Sequence, residues 1–137
     1  MSWKQAEAFC NFMNARLVKI DSSDEQSFIK TIAPDSSVEW GYWIGLTDAE
    51  MENHWKWSDG SPLGNYANWG AYEPNNIQVE EDCATLFHEV WYDIPCDWKA
   101  KFICEKEKLD WELKRCCVVR FLQLLKMTRD NQFSAVG

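Results

Sequence analysis

Residues 59–82, which read DGSPLGNYANWGAYEPNNIQVEED, are the feature that most limits how this chain can fold. They are rich in turn-forming residues and show neither strand nor helix periodicity, although patterned sequence stands on both sides. A loop of this length is uncommon inside a compact domain and usually either has a function or is disordered. Its aromatic residues Tyr66, Trp69 and Tyr72 predict an ordered loop that packs against the rest of the domain.

Two amphipathic helices are predicted before this loop. Ser2 and Gln5 form a capping-box pattern at the start of the first helix. Apolar residues then recur at helical spacing, at Ala6, Phe9, Cys10 and Met13. A second helix is predicted from a cap at residues 21–23 to Ile32, with Phe28, Ile29 and Ile32 facing inward.

From residue 42 the pattern changes to short aromatic and β-branched runs separated by turn residues. These runs are YWIGL, HWKWS, CATLF, EVWYD and AKFIC. Helices followed by mostly antiparallel strands predict an α+β fold. A chain of 137 residues is long enough for one domain with a core and too short for two comfortable ones. Nine Trp, seven Phe and four Tyr favour a compact globular domain over a disordered chain.

Residues 107–137 differ in charge from the rest of the chain. Residues 1–106 carry 8 Lys and Arg against 18 Asp and Glu, whereas residues 107–137 carry 6 against 4. The apolar segment RCCVVRFLQLLKM is interrupted by Arg120 and is too short to cross a bilayer, which needs about 20 apolar residues. We therefore predict one domain at residues 1–106 and a tail outside it at 107–137. The tail forms either an amphipathic helix or sequence that does not belong to the fold.

The net charge and the cysteine content restrict which partners the chain can bind and which cellular compartment it suits. A net charge of −8 argues against nucleic acid, because phosphate binding needs a basic face. Six Cys without a CxxC pair, and the solitary His54 and His88, disfavour zinc. Four widely spread Cys suggest two disulfides in an oxidising compartment. The opening MSWKQAEAF shows no secretory signal, so we expect part of a larger extracellular or cell-surface protein.

The stretch EPNNIQVEEDC at residues 73–83 concentrates carboxylates and amides around Pro74. One interpretation is a solvated acidic turn, since Pro and Asn are ordinary turn residues. The other is a cation site, because calcium takes six to eight oxygen ligands from carboxylates, amides, backbone and water. Short acidic patterns match by chance, so the rest of the chain has to decide between the two.

Several ordered motifs carry a family resemblance: WIGL at 43–46, EPN at 73–75, EDC at 81–83, WYDIPC at 91–96 and FIC at 102–104. Preceded by a Cys on the first helix, they resemble a C-type lectin-like domain, most of all the mannose-receptor type of carbohydrate-recognition domain. The resemblance covers about residues 2–106. It implies disulfides Cys10–Cys104 and Cys83–Cys96, and two helices and short antiparallel strands with a long calcium-binding loop. The family's first strand, ahead of the first helix, is missing here.

The resemblance also implies a principal calcium site, with Pro74 in the cis form. Its matching positions are Glu73, Asn75, Glu81, Tyr92 and Asp93. In this family the ion binds two vicinal sugar hydroxyls, and the residues matched to sugar contacts are Glu73, Asn75, Glu81 and Tyr92. The order Glu-Pro-Asn goes with equatorial 3- and 4-hydroxyls, which implies terminal mannose, GlcNAc or fucose rather than galactose.

A second, auxiliary calcium site is implied by positions that all carry oxygen donors: Asp48, Glu52, Asn76, Glu81 and Asp82. Because Asp48 and Glu52 come from a different segment, this match favours the cation site over the solvated turn. Tyr92 departs from the family pattern, which has Asn there, and a neutral phenol cannot replace an amide ligand. We expect it to weaken sugar binding, either stacking on a sugar face or filling the vacated space.

The predicted function is a non-enzymatic, calcium-dependent glycan-binding domain. The alternative is a lectin-like module that keeps calcium but binds a protein partner through exposed aromatic residues. A hydrolase with a carboxylate pair is disfavoured. The acids fall at calcium-ligand positions, and no sequence pattern indicates an acid with a raised pKa.

Overall fold

The computed structural model of the chain describes residues 1–33, 39–77, 80–108, 121–127 and 133–135. Within these ranges the elements follow in the order α1 (Trp3–Phe12), β1 (Arg16–Leu17), α2 (Ser23–Ile32), β2 (Tyr42–Thr47), β3 (Lys56–Trp57), β4 (Cys83–Phe87), β5 (Val90–Ile94), β6 (Lys101–Lys108), β7 (Phe121–Met127) and β8 (Phe133–Ala135). Helices come first and short strands follow, so the predicted α+β class is confirmed.

Both predicted helices form and are capped as expected. Ser2 Oγ accepts a hydrogen bond from the Gln5 backbone N–H at 3.3 Å, and Gln5 Oε1 accepts one from the Ser2 N–H at 3.0 Å. The Ser22 hydroxyl likewise accepts from the Glu25 N–H at 3.1 Å. Each cap satisfies N–H groups that have no partner inside the helix, which contributes about 1 kcal/mol.

The buried stripe of α2 differs from the prediction at one residue. Gln26, Ile29 and Ile32 are buried, whereas Phe28 is 41% exposed. Buried positions recur every three residues, and each residue turns the helix by about 100°. Phe28 is therefore rotated away from the stripe, and the prediction that it faces inward is wrong.

The strands form one sheet in the order β5-β4-β2-β6-β7-β8, with β1 also paired to β6 and β3 to β2. All pairs are antiparallel except β2 and β6, which run parallel at Tyr42↔Lys101 and Trp43↔Phe102. The β4–β5 hairpin turns at His88 and Glu89, both with positive φ, as a type I′ hairpin turn requires. This hairpin stands at the sheet edge that leads to the long loop.

The described parts of the tail are strands. β7 pairs with β6 from Ile103↔Lys126 to Lys108↔Phe121, and β8 pairs with β7. Residues 121–127 and 133–135 thus form strands and not the helix considered from sequence. The domain boundary at residue 106 stays a prediction. Cys116 and Cys117 lie outside the described residues. In the portion of the chain that is described, no helix has the length and apolar character needed to cross a membrane.

Tryptophans dominate the core, and Trp91 and Trp3 find partners for their indole N–H groups, whereas the buried indole N–H of Trp55 has none among the described residues. Trp91 is fully buried and donates to Gln26 Oε1 at 2.9 Å, and Gln26 Nε2 donates to the Glu89 carbonyl at 3.1 Å. Trp3 donates to the Ile44 carbonyl at 2.9 Å. These bonds explain why a polar Gln26 occupies the buried face of α2, since an unpaired buried N–H would cost about 1–3 kcal/mol.

Two disulfides tie α1 to the sheet and join the start of β4 to the segment after β5. Cys10 on α1 bonds Cys104 on β6, with Cα atoms 5.6 Å apart, and Cys83 at the start of β4 bonds Cys96, with Cα atoms 5.1 Å apart. These are the pairs that the resemblance implies. Each closure stabilises the domain by about 2–4 kcal/mol, mainly by restricting the unfolded chain.

The long loop is ordered by packing on Trp91. The Trp69 ring lies 5.7 Å from Trp91 and 4.8 Å from Trp55, and Tyr66 lies 6.0 Å from Trp91, between ring centroids. The loop backbone also exchanges hydrogen bonds with Trp91, which accepts from Gly70 and donates to Asn68, both at 2.8 Å. Tyr72 is 95% exposed. The loop therefore packs as predicted through Tyr66 and Trp69, whereas Tyr72 takes no part because it lies in a turn beyond these Trp contacts.

Candidate functional site

One pocket of about 380 Å³ is lined by all five residues matched to the principal ion site: Glu73, Asn75, Glu81, Tyr92 and Asp93. Glu73, Asn75 and Glu81 come from the long loop, while Tyr92 and Asp93 come from β5. Loop and hairpin thus bring together oxygen donors that are separate in sequence. The Glu73–Pro74 peptide bond is cis, as the resemblance implies.

The buried Asp93 carboxylate holds the loop against β5. Its two oxygens accept from the Asn75 backbone N–H at 3.1 and 3.0 Å, and Oδ2 also accepts from the Asn76 N–H at 2.8 Å. Asp93 is 4% exposed and lies opposite Ala84 in the β4–β5 ladder. A backbone held this way keeps Glu73 and Asn75 beside the pocket.

The surroundings of Glu73 disfavour the ionised form of its carboxylate. Burial and the neighbouring Asp93 carboxylate raise the pKa of Glu73 to about 7. Glu73 Oε1 accepts from Asn75 Nδ2 at 2.5 Å, whereas Oε2 is buried and has no hydrogen-bond partner among the described residues. No sequence pattern indicated an acid with a raised pKa, and the expectation that there is none is wrong for Glu73. Sequence cannot show that two carboxylates from different segments meet in a buried place.

The second group of predicted ligands gathers at the end of β2. Asp48 is 4% exposed, and its Oδ2 accepts from the Asn53 N–H at 2.8 Å while Oδ1 is buried without a partner among the described residues. Burial, together with the nearby negative charges of Glu52 and Asp82, raises the pKa of Asp48 to about 6. Three predicted ligands from two segments are therefore close neighbours.

Asn76 and Glu81 join the loop to this region. Asn76 Oδ1 accepts from the Glu81 backbone N–H at 3.0 Å, and Glu81 is 7% exposed. The Asp82 carbonyl that follows accepts from the Asp48 N–H at 3.1 Å and from the Thr47 hydroxyl at 2.6 Å. The predicted auxiliary ligands thus form a chain of contacts from the loop to β2, although Asn76 and Asp48 make no direct hydrogen bond.

The chemical type of the donor atoms suits a hard cation better than their present arrangement in space does. Each ligand group contains a buried carboxylate oxygen without a partner, Glu73 Oε2 in one and Asp48 Oδ1 in the other. All donors are carboxylate or amide oxygens, which calcium prefers. Across residues 1–33, 39–77 and 80–106, however, no three Asp, Glu, His or Cys side chains converge as a metal cluster. An ion would need amide, backbone or water oxygens as well, with local adjustment of the carboxylates.

Tyr92 packs where the family pattern has Asn. Its ring centroid is 6.3 Å from that of Phe87, and a Cβ atom placed on Gly70 would meet the Tyr92 ring at 3.3 Å. Tyr92 is half-buried and packs against the core cluster that contains Trp43 and Ile94. These contacts favour the interpretation that the phenol fills space, and they explain why Gly70 stands beneath it.

The same pocket contains residues that the sequence did not indicate. Trp40, Ile77, Thr85, Phe87, Ile94 and Trp98 all line it. Strand alternation could have indicated that Thr85 and Phe87 lie on one face, because residues two apart on β4 share a face. Trp40 and Trp98 lie in loops before β2 and after β5, and no pattern in the chain links them.

The comparisons with known proteins agree with this architecture. A family model described as the lectin C-type domain matches residues 1–106. The chain belongs to the C-type lectin domain family. This C-type lectin domain is 40% identical over 111 residues to CD209 antigen-like protein C of Mus musculus. The aligned region covers 79% of the chain and 60% of that protein. The chain spans about half to six tenths of the length of the first curated relatives it matches.

Solved structures resemble the C-type lectin domain closely. The mouse scavenger receptor C-type lectin carbohydrate-recognition domain superposes with a TM-score of 0.73 at 42% identity, covering 79% of this chain and 84% of that one. A calcium-independent type II antifreeze protein superposes with a TM-score of 0.67 at 32% identity, covering 76% and 77%. The fold is therefore that of a lectin-type carbohydrate-recognition module, a family whose members are generally non-enzymatic binding domains and mostly extracellular.

Proposed function

We propose that this C-type lectin domain binds terminal mannose, GlcNAc or fucose in a calcium-dependent manner. The observation that carries the proposal is the convergence of Glu73, Asn75, Glu81 and Asp93 on one pocket, with the Glu73 Oε2 atom buried and unpaired there. A buried carboxylate without a partner is costly unless a cation or donor compensates it. The likeness to a domain described as carbohydrate-recognising supports the sugar as ligand.

Each residue has a chemical role in this proposal. Glu73, Asn75, Glu81 and Asp93 would hold the principal ion, and bound calcium supplies open coordination positions for two vicinal hydroxyls. A carboxylate accepts hydrogen bonds and an amide nitrogen donates them, so Glu73 and Asn75 distinguish the two hydroxyls. Glu81 completes the sugar contacts. A second ion would be held by Asp48, Glu52, Asn76, Glu81 and Asp82.

Tyr92 limits the strength of this site. A phenol oxygen lies farther from the backbone than an amide oxygen and does not offer the same ligand and donor. The packing of Tyr92 on Phe87 and above Gly70 keeps the ring in place. We therefore expect weak sugar affinity for one domain, with useful binding reached through several copies acting together.

The test is retention of a multivalent form of the domain on immobilised mannose, GlcNAc or fucose in calcium, with elution by a chelator. Glu73→Gln combined with Asn75→Asp reverses the order of acid and amide, so retention should move from mannose to galactose. Glu80→Gln is the matched control, because Glu80 is exposed in the same loop and outside both ligand sets. Failure to retain the wild-type domain on any of the three sugars would overturn the proposal.

A protein partner is the second candidate function. Tyr72 is 95% exposed and Ile77 is 78% exposed, so the loop tip offers apolar surface of the kind that marks interaction sites. One neighbour of the same fold is described as a calcium-independent type II antifreeze protein. If the domain binds calcium in calorimetry but binds none of the sugars, that result would favour the protein-binding function.

We also propose that the domain works at the cell surface or outside the cell, as part of a larger protein. Its two disulfides persist in an oxidising compartment. The expected partners are glycans and not nucleic acid, in keeping with the net charge of −8. Resistance of Cys10 and Cys83 to thiol labelling in secreted material would agree with this location.

A further inference from the structure

Gly70 in the long loop lies directly against the ring of Tyr92. A Cβ atom placed on Gly70 would come within 3.3 Å of Tyr92 Cε1, Tyr92 Cζ and Val90 Cγ2. Cε1 and Cζ belong to the phenol end of the ring, so the part of Tyr92 nearest to Gly70 is the part that carries the hydroxyl. The Tyr92 ring thus occupies the space that a side chain at position 70 would need.

Position 70 requires glycine for space and not for backbone conformation. Among the described glycines, Gly41 and Gly60 have positive φ and Gly70 does not. Alanine or valine at position 70 would therefore avoid the strain that positive φ imposes on residues with a side chain. The contacts with Tyr92 and Val90 are what exclude a larger residue there.

Hydrogen bonds fix the backbone of Gly70 at both its N–H and its carbonyl. The N–H donates to the Trp91 carbonyl at 2.8 Å, and the carbonyl accepts from the Glu73 N–H at 3.1 Å. The first bond ties the loop to β5, and the second closes the turn that leads to Glu73. Because a shift of this backbone would break these bonds, the Tyr92 side chain is the part that must yield to an added side chain.

A displaced Tyr92 ring would move toward the pocket. Tyr92 lines the pocket together with Glu73 and Asn75, whereas Gly70 does not line it. The ring therefore stands between Gly70 and the pocket. A side chain at position 70 would push the phenol into the space where the sugar is proposed to bind.

We infer that Gly70 is a positioning residue for Tyr92 and thereby sets how strongly the pocket binds a sugar. The missing side chain lets the phenol lie back against the loop, which keeps the pocket open although Tyr92 stands where the family pattern has Asn. The inference rests on the proposed sugar function and adds the residue that makes Tyr92 compatible with it. Gly70 acts through Tyr92 and touches neither the ion nor the sugar.

A double-mutant cycle between positions 70 and 92 tests the inference. Calorimetry measures mannose affinity in calcium for the wild-type domain, Gly70→Val, Tyr92→Asn and the double variant. Gly70→Val should lower the affinity about fivefold while Tyr92 is present, because overpacking displaces the ring. In the Tyr92→Asn background the same substitution should leave the affinity unchanged.

A milder variant covers the case in which Gly70→Val does not fold. Gly70→Ala asks the Tyr92 ring to shift by only a few tenths of an ångström, so it should give a smaller loss of mannose affinity that also depends on Tyr92. Gly64→Val is the matched control, because Gly64 lies in the same loop without positive φ and nothing stands within 4 Å of its Cβ position. This control should leave mannose affinity unchanged in both backgrounds.

Calcium affinity without sugar separates positioning of Tyr92 from a general structural role. Gly70 and Tyr92 are not among the residues proposed to hold the ion, so Gly70→Val should leave calcium affinity unchanged. A residue that only maintained the loop would lower calcium affinity whichever residue stands at position 92. A fall in calcium affinity on Gly70→Val would therefore overturn the inference.

The outcomes for mannose distinguish this inference from the proposed function. If mannose binds but the substitutions at position 70 leave its affinity unchanged, raise it, or lower it equally in both backgrounds, Gly70 does not act through Tyr92 although the sugar site exists. If neither the wild-type domain nor Tyr92→Asn binds mannose in calcium, the proposed function fails and the inference fails with it.

Discussion

Both oxygens of the Asp93 carboxylate accept hydrogen bonds from the backbone N–H of Asn75, at 3.1 and 3.0 Å. A buried strand residue therefore holds the loop segment that carries the proposed sugar contacts. The order of the long loop depends on this polar anchor as well as on the Trp69 and Trp91 packing.

Asp93→Ala should loosen the loop. The substitution leaves the Asn75 and Asn76 N–H groups without their acceptor, and hydrogen bonds to charged groups contribute about 1.5–3 kcal/mol to stability. We expect a lower urea midpoint and faster proteolysis at residues 72–82. Asp97→Ala, at an exposed position, is the control. Equal proteolysis rates for the two variants would show that Asp93 is not an anchor.

Calcium should raise the thermal midpoint of the domain, and a chelator should lower it. Glu73 with Asp93, and Asp48 with Glu52 and Asp82, are crowded carboxylates whose repulsion a bound cation would relieve. Glu73→Gln should make the metal-free domain more stable and its response to calcium smaller. Differential scanning fluorimetry measures both effects. An unchanged midpoint across millimolar calcium would remove the cation from the proposal.

Tyr92→Asn should strengthen mannose binding by about tenfold. The amide restores a ligand and a hydrogen-bond donor worth on the order of 1–3 kcal/mol. The thermal midpoint should fall slightly, because the ring leaves Phe87 and Gly70. Galactose binding should not rise in parallel, since Glu73 and Asn75 keep their order. A loss of mannose binding in competition assays would instead identify Tyr92 as a direct sugar contact.

Cys116 and Cys117 should stay apart from the disulfides of the domain. Cys10, Cys104, Cys83 and Cys96 are already paired with each other, so neither tail cysteine has a partner among them. Peptide mapping of the unreduced chain should recover the two domain disulfides as separate cross-linked peptides. A cross-link from residue 116 or 117 to either pair would contradict the assignment.

Asp59→Asn should destabilise the domain near neutral pH and cost progressively less in acid. Burial by itself would raise the pKa of Asp59, but hydrogen bonds from Ser61 and the charge of Lys19 lower it to about 2. A lowered folded-state pKa gives stability that is present above the unfolded value, near 3.8, and is lost as pH falls through about 2. Urea unfolding from pH 7 to pH 2 measures this difference. A difference independent of pH would exclude the ionised carboxylate as its source.

Local signals in the sequence were sufficient for the two helices, for the strands between residues 42 and 106, and for the chemistry of the donors at residues 73–83. The Ser2 and Gln5 pattern predicted a capped helix because capping needs residues only three positions apart. The stretch at residues 73–83 was suited to a cation because its oxygens are near one another along the chain. Phe28 was misassigned to the buried face, since its orientation depends on what the neighbouring elements cover.

By itself, the sequence determined the α+β class, the two helices and the short strands between residues 42 and 106, because each is encoded by spacing within one segment. The set of proposed oxygen donors came instead from the resemblance to the C-type lectin-like family. Only the tertiary structure decided which carboxylates became neighbours. Glu73 meets Asp93, and Asp48 meets Asp82, across separations that no local pattern measures. The same holds for Trp40 and Trp98, which share one wall although they lie in different loops. Burial and long-range contact are properties of the packed chain, and they make a pocket from residues that are separate in sequence.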